Sequence, residues 1–335
     1  MRLFDCVAAM KGPLVIETPE GKRFELPSPA CIAEAVKHCP TRYVIDDAVT
    51  AFAANFAFRE SEKLAACMDL VRLPSQQIWI EWRDGPRVEA LSGASSAGAF
   101  ELGRRVGLLV QADVDGRRGA IELVWMHDEA VADLSPIFLE FDFDDRDFFE
   151  RRNGPALSWG AELRGHGGLT QIGRHVRYCL RPEWARYYLT RALTSEQQRE
   201  ILIANCEAVA TDFPFLMAFA LTLMARNAVH LQANELERLN RSRRRSGKAE
   251  LLDYVEVFAR IDGFAASPSG TSNEVRAAAR LHFVTGHLVR RAQQVFWRRG
   301  HLRGNAARGA VLGRNIHLRM GPNVTLDSLT GSSAA

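Results

Sequence analysis

A chain of 335 residues with 47% apolar and 25% charged content is long enough for two domains, or for one large domain with an appendage, and its composition excludes global disorder. The formal charge of +3 hides an asymmetry: residues 234–320 carry 17 Lys+Arg against 7 Asp+Glu, about +10, which leaves about −7 on the remainder. A basic end on an acidic body suits an anionic partner, or docking within the molecule.

Residues 14–17 and 23–26 are short apolar stretches split by the turn signal Thr18-Pro-Glu-Gly21, which predicts a small hairpin. Residues 30–38 and 46–58 read as helices; in the second, Ala48, Phe52, Asn55 and Phe56 share one face. Residues 61–70 read as a third helix. The pattern changes at Pro74. Residues 77–82, QIWIEW, alternate and are rich in strand formers. A small-residue loop at 91–98 is followed by strands at 104–113 and 120–127, joined through Asp115-Gly116, a hairpin signal. With a fourth strand at 136–144 these predict an antiparallel meander.

Residues 145–174 are irregular, polar and Gly-rich. Helices resume at Pro182, a favourable first helical position. Thr194-Ser-Glu-Gln197 is a capping box that opens a helix to about residue 212. Residues 213–226 read as an apolar core helix, with Phe213-Pro214 turning the pair into a helical hairpin. A charged helix at 234–245 closes in Arg241-Ser-Arg-Arg-Arg245 and stops at Ser246-Gly247. Strand alternation returns at 251–261, with Val255, Val257 and Ala259 on one face. Residues 262–273 have the composition of a loop, and 326–335 that of a disordered tail.

Between Glu274 and Asp327 there is no acid and no lysine, but there are ten Arg and four His. Residues 280–291 and 295–303 alternate as two strands around Ala292-Gln-Gln294, and 314–320 as a third. A two-stranded ribbon alone is marginal, so it needs that third strand and a supporting helix, for which 234–245 is the nearest candidate. Arginine presents a planar fork that grips phosphate through two parallel bonds and stacks on rings, whereas lysine presents a point charge. Arg290, Arg291, Arg298, Arg299 and Arg303 are therefore candidate phosphate contacts, with Phe296 and Trp297 as stacking platforms. Arg243, Arg244, Arg245 and Lys248 add a second basic cluster. Two blander readings compete. The ribbon could be charged against edge-to-edge aggregation, or its arginines could dock on the protein's own acids.

Histidine titrates near neutrality, so a His–Arg set can move a proton while holding a phosphate. His287 and His301 are the candidate pair for phosphodiester hydrolysis, facing each other if the hairpin register allows. His282 and His287 fall on opposite faces of an ideal strand unless a bulge at Gly286 intervenes. The ordinary reading is sheet histidines bonded to backbone.

The series His282-Phe-Val-Thr-Gly-His287-Leu-Val-Arg-Arg291, then Phe296-Trp297 and His301-Leu-Arg303-Gly-Asn305, resembles the C-terminus of a class of phage and prophage proteins. The upstream Leu239-Asn240, Arg243, Gly247-Lys248 and Leu251 resemble that class's linker, although many of its members have Arg where Thr285 stands here. The resemblance covers about a quarter of the chain. It implies a phage-type origin and an α+β body with this tail, and it carries no catalytic residue with it.

Elsewhere, Glu140, Asp142 and Asp144 share a face if their segment is a strand, and three carboxylates at that spacing suit Mg²⁺ or Mn²⁺. The plainer account is the wet face of an outer strand, and a third is that these acids meet the basic ribbon. Arg164-Gly-His-Gly-Gly168 with Arg174 and His175 offers N–H donors and cations to a phosphate, although its glycines first of all mark a loop. The six cysteines, Cys6, Cys31, Cys39, Cys67, Cys179 and Cys206, make no CxxC pair and read mostly as buried thiols of a reducing cytoplasm. Residues 1–10 lack the apolar core of a signal peptide, and the longest apolar run, 213–225, is short for a bilayer.

The expectation is a cytoplasmic α+β protein, with helical segments on an antiparallel sheet and a C-terminal Arg/His-rich hairpin. Its parts would be helices and meander to 150, a helical segment at 151–233, a basic helix with ribbon at 234–325, and a tail. The expected partner is nucleic acid, held by its backbone. The alternatives are a phosphodiesterase or nuclease, using either the histidines or the acids with a divalent metal, and an adaptor for an acidic protein surface. No membrane partner is read, and no cofactor beyond that metal.

Overall fold

The computed structural model describes residues 2–10, 14–17, 21, 23–26, 28–92, 105–128, 131–146, 148, 168–190, 194–225, 228–259, 280–284, 287–291, 294–298, 301–303 and 305–310. The chain opens with the helix Leu3–Ala8, the hairpin of β1 (Leu14–Glu17) and β2 (Arg23–Leu26), and the helix Ser28–His38. Strand β3 (Thr41–Ile45) leads into the helices Asp47–Arg59 and Ser61–Ala65 and a 3-10 turn at Met68–Leu70. Next come β4 (Gln77–Arg83), the helix Gly85–Ser92, β5 (Arg105–Ala112), β6 (Arg118–Asp128), β7 (Val131–Leu134) and β8 (Ile137–Asp142). The helix Gly168–Gly173 precedes β9 (Val176–Leu180) and the helices Pro182–Thr190, Ser195–Val209 and Asp212–Met224. Strand β10 (Val229–Asn234), the helix Glu237–Arg245 and β11 (Tyr254–Ala259) complete the body. The C-terminal region holds β12 (Arg280–Val284), β13 (His287–Arg291), β14 (Gln294–Arg298), β15 (His301–Arg303) and β16 (Asn305–Ala310).

The fold is α+β. Its main sheet has nine strands in the order β10-β11-β3-β4-β5-β6-β8-β9, with β7 beside β6. The four strands of the expected meander are present and antiparallel. The whole sheet is mixed, because β3 lies parallel to both β11 and β4. This sheet runs across the boundaries read from the sequence at 150 and 233, since β9 pairs with β8 and β11 with β3. The turn into β6 works as its sequence predicts. Gly116 takes φ +66°, and a Cβ there would come within 2.7 Å of the Leu73 carbonyl oxygen.

Strand β4 shows why the core has two halves. Ile78, Ile80 and Trp82 face a core closed by the helices Asp47–Arg59 and Asp212–Met224, whereas Trp79 faces a second core with Leu3, Phe4, Val36 and Leu109. Glu81 shares the Trp79 face and is fully buried, so its carboxylate needs donors. It accepts from the Leu3 and Phe4 amides at 3.0 and 3.1 Å, from Trp79 Nε1 at 3.3 Å and from Arg105 Nη1 at 3.0 Å. A carboxylate thus satisfies the orphan amides that open the first helix.

The capping box at Thr194 forms, with the Gln197 amide donating to Thr194 Oγ1 at 3.2 Å and Gln197 Oε1 accepting from the Thr194 amide at 3.0 Å. The helical hairpin expected at Phe213-Pro214 does not. Ala210 and Thr211 keep right-handed helical angles, and Pro214 falls in the first turn of the next helix, where its missing N–H costs nothing. The resulting 30-residue run Ser195–Met224 is long and apolar enough to cross a membrane, but 72% of its apolar window is buried inside the protein. Below it, Arg87 is fully buried between Asp84 and Asp212, bonded to Asp84 Oδ1 at 2.6 Å and to Asp212 Oδ1. Five of the cysteines are buried, Cys31 is exposed, and all six are free thiols.

The chain divides into two compact units, residues 1–261 with 288–297, and residues 262–287 with 298–335. In the second, β12 lies between β15, antiparallel, and β16, parallel. Of the two long strands expected here, the described parts are β12 and β13 for the first and β14 and β15 for the second, and residues 285–286 and 299–300 between them lie outside the described residues. The predicted strand at 314–320, the loop at 262–273 and the tail at 326–335 lie outside the described residues.

Candidate functional site

Strands β13 and β14 form a two-stranded ribbon. Its inner side is set by apolar contact. Val295 is buried, and Leu288 and Trp297 pack against the main core. The Trp297 ring meets Phe52 edge-on, centroids 4.7 Å apart. Support therefore comes from the helix Asp47–Arg59, not from the charged helix favoured by the sequence. Arg290 also turns inward. Its Nη1 and Nη2 reach Asp69 Oδ1 and Oδ2, both at 2.7 Å, and Nη1 donates to the Ala66 carbonyl. Arg290 and Trp297, expected to meet a ligand, instead hold the ribbon to the body.

Alternation puts Arg291, Phe296 and Arg298 on the other side. Arg291 and Arg298 are exposed, Phe296 is half-buried, and among the described residues neither arginine makes an ion pair. Arg303, in β15, is exposed; Arg299 lies outside the described residues. In the β12–β15 register His301 is opposite Val284 and His282 opposite Arg303, so His287 is not the cross-strand partner of His301. The second basic cluster sits at the end of the helix Glu237–Arg245, which stops at Gly247 with φ +66°. Arg243 Nε donates to the Ala249 carbonyl at 2.6 Å, and Arg244 pairs with Glu237 at 3.1 Å and Glu250 at 3.5 Å. Arg245 and Lys248 are exposed.

The three acids do not share one ligand position. Phe141 is core and Glu140 and Asp142 take the opposite face, as alternation requires, but β8 ends at Asp142. Asp142 Oδ1 then accepts from the amides of Asp144 and Asp145 at 2.9 and 3.1 Å, bending the chain away. Each carboxylate lies beside a different guanidinium: Glu140 and Arg177 at 3.5 Å, Asp142 and Arg118 at 3.9 Å, Asp144 and Arg117 at 2.7 Å. Among the described residues no group of three His, Cys, Asp or Glu is placed to hold a metal ion.

A cleft of about 1000 Å³ opens beside the last of these pairs. Among the described residues its charged lining is Arg117, Arg146, Arg174 and Arg290 with Asp69 and Asp144, and Met68 and Phe143 supply apolar wall. Arg117 is 7% exposed, its guanidinium lying over Phe143. Its Nε bonds Asp144 Oδ1 at 2.7 Å, and its Nη1 donates to the carbonyls of Val71 at 2.8 Å and Asp69 at 3.2 Å. His175 is buried in the wall, with Nδ1 2.9 Å from the Asp142 carbonyl, and burial lowers its pKa, keeping the ring neutral at neutral pH.

No protein family, curated protein or solved structure matches this chain.

Function must therefore be argued from these two surfaces. Of the cleft residues, the sequence pointed to Arg174 and His175 through the neighbouring glycines, to Arg290 through the ribbon, and to Asp144 through the acidic strand. It gave no sign of Arg117, which reads as part of a hairpin turn, or of Arg146 and Gln171. The signal for Arg117 lies in its position after Gly116, where the turn aims it back across the end of β8.

Proposed function

We propose that the protein binds nucleic acid through the phosphodiester backbone, using the outer side of the ribbon. The observation that carries this reading is the sidedness of the ribbon. Its inner side is fixed by Trp297 on Phe52 and Arg290 on Asp69, while Arg291 and Arg298 flank Phe296 along the other side with no carboxylate partner among the described residues. Rigid guanidinium forks next to an accessible ring suit a strand of phosphates and bases. Arg303 in the second unit, and Arg245 and Lys248 in the first, are further exposed cations. The absence of acids from 275 to 326 favours the same partner. A cytoplasmic, phage-type accessory role follows from this reading together with the C-terminal motif.

The test is binding to mixed single- and double-stranded nucleic acids across a salt series. Log affinity should fall linearly with log salt, with a slope of about −0.7 to −0.9 per phosphate contacted. The double variant Arg291→Gln, Arg298→Gln should bind less tightly and show a slope shallower by about 1.5 to 2. Unchanged binding by this variant would overturn the proposal. An acidic protein partner would use the same cations without releasing condensed counterions, so a shallow slope favours that reading. Hydrolysis by His287 and His301, or by metal at Glu140, Asp142 and Asp144, has less support, since His301 is paired in register with Val284 and each of the three acids lies beside a different guanidinium.

A further inference from the structure

We infer that the cleft beside Arg117 is a binding site for a compact phosphate dianion, the phosphomonoester of a small molecule. This goes beyond the ribbon and does not depend on it.

Three observations converge. First, the charge of the lining is unbalanced: among the described residues four guanidiniums face two carboxylates, and His175 is neutral, which leaves a surplus of +2 on them. The two carboxylates are engaged, Asp69 by Arg290 and Asp144 by Arg117. Arg146 and Arg174 are exposed at the cleft and have no carboxylate partner among the described residues. Second, Arg117 is a buried, fixed cation with a donor to spare. Its Nε and Nη1 are held by Asp144, Val71 and Asp69, and its Nη2 bonds to no described residue. Because the other nitrogens are tied down, Nη2 is ordered before any ligand arrives, which is the arrangement that favours oxyanion recognition. Third, the space and the wall fit a small molecule. About 1000 Å³ is the upper range of small-ligand pockets, Phe143 and Met68 offer apolar surface, and the exposed Gln171 offers an amide for a hydroxyl or carbonyl. A surplus of two charges matches a phosphomonoester near neutrality, and exceeds what a diester or a carboxylate requires.

The experiment is isothermal titration and thermal unfolding of the full chain with inorganic phosphate, then with a nucleoside 5′-monophosphate and the matching 3′,5′-cyclic monophosphate, at ionic strength matched with potassium chloride. Inorganic phosphate should bind and raise the melting temperature, and the monoester should bind at least about tenfold more tightly than the cyclic diester. Binding of the monoester should weaken as pH falls below about 6, where the dianion takes up a proton and becomes a monoanion. The double variant Arg146→Gln, Arg174→Gln alters only exposed side chains and should keep its near-ultraviolet circular dichroism while losing at least about tenfold in affinity. The Arg291→Gln, Arg298→Gln variant should bind phosphate normally, so failure here is separable from failure of the ribbon reading. Equal binding by wild type and the Arg146/Arg174 variant, equal response to potassium chloride alone, or no binding would each overturn the inference.

Discussion

Arg290 and Asp69, 221 residues apart, form a two-pronged ion pair in which each guanidinium nitrogen meets its own carboxylate oxygen at 2.7 Å. That pair and the Trp297–Phe52 contact fix which side of the ribbon is free. The hydrogen bonds from Arg290 hold the Asp69 carboxyl below its ordinary range. The stabilisation is therefore fully present above the ordinary carboxylate value and is lost as pH falls through the lowered one. Asp69→Asn or Arg290→Ala should raise amide hydrogen exchange in residues 288–297 at neutral pH while global unfolding changes little. Unchanged exchange in both variants would show that the pair plays no part in docking.

Phe296 and Trp297 are neighbours in sequence with opposite expected phenotypes. Trp297→Ala removes a ring packed on Phe52 and should cost about 2–4 kcal/mol of stability in urea unfolding. Phe296→Ala should leave stability within about 1 kcal/mol and weaken single-stranded nucleic-acid binding by the worth of one stacked base, about 1–3 kcal/mol. Reversed phenotypes would mean that the ribbon's sides have been assigned the wrong way round.

Glu81→Ala would leave the Leu3 and Phe4 amides without their acceptor and Arg105 without its partner, at a fully buried position. The expected loss is about 3–5 kcal/mol, measured by chemical denaturation. Glu81→Gln keeps a carbonyl acceptor for one amide and should lose less.

Asp212 is one of two carboxylates around the buried Arg87, and burial pushes its pKa from 3.8 to about 6. Between those values the folded protein holds a proton that the unfolded chain has released. This site's contribution to stability therefore falls as pH rises through the window and levels off above it. Asp212→Asn removes the titration, so the stability difference between variant and wild type should change by up to about 3 kcal/mol from about pH 4 to about pH 6.5. A constant difference across that range would place the proton elsewhere.

The meander was legible because alternation and an Asp-Gly turn are local signals, and the capping box at Thr194 and the stop at Gly247 are local too. Strand β3 was not, because five residues between two helices show little alternation and take their partners from distant chain. Strands β9 and β10 were missed for the same reason: one follows a Gly-rich stretch and the other leaves an apolar helix. In the ribbon the chemistry could be read but not its direction. Nothing near Arg290 or Trp297 announces Asp69 or Phe52, so docking residues and free residues looked alike. The cleft depends on a turn, a strand end and a short helix whose residues share no motif.

The parallel pairing of β11 beside β3 has a consequence for synthesis. Val255, Glu256 and Val257 lie against Tyr43, Val44 and Ile45, so one flank of β3 stays bare until more than two hundred further residues have left the ribosome. A nascent chain, or a product truncated before residue 254, presents that apolar edge as a template for strands of other molecules. Such fragments should precipitate when made alone and be rescued by supplying the missing segment in trans.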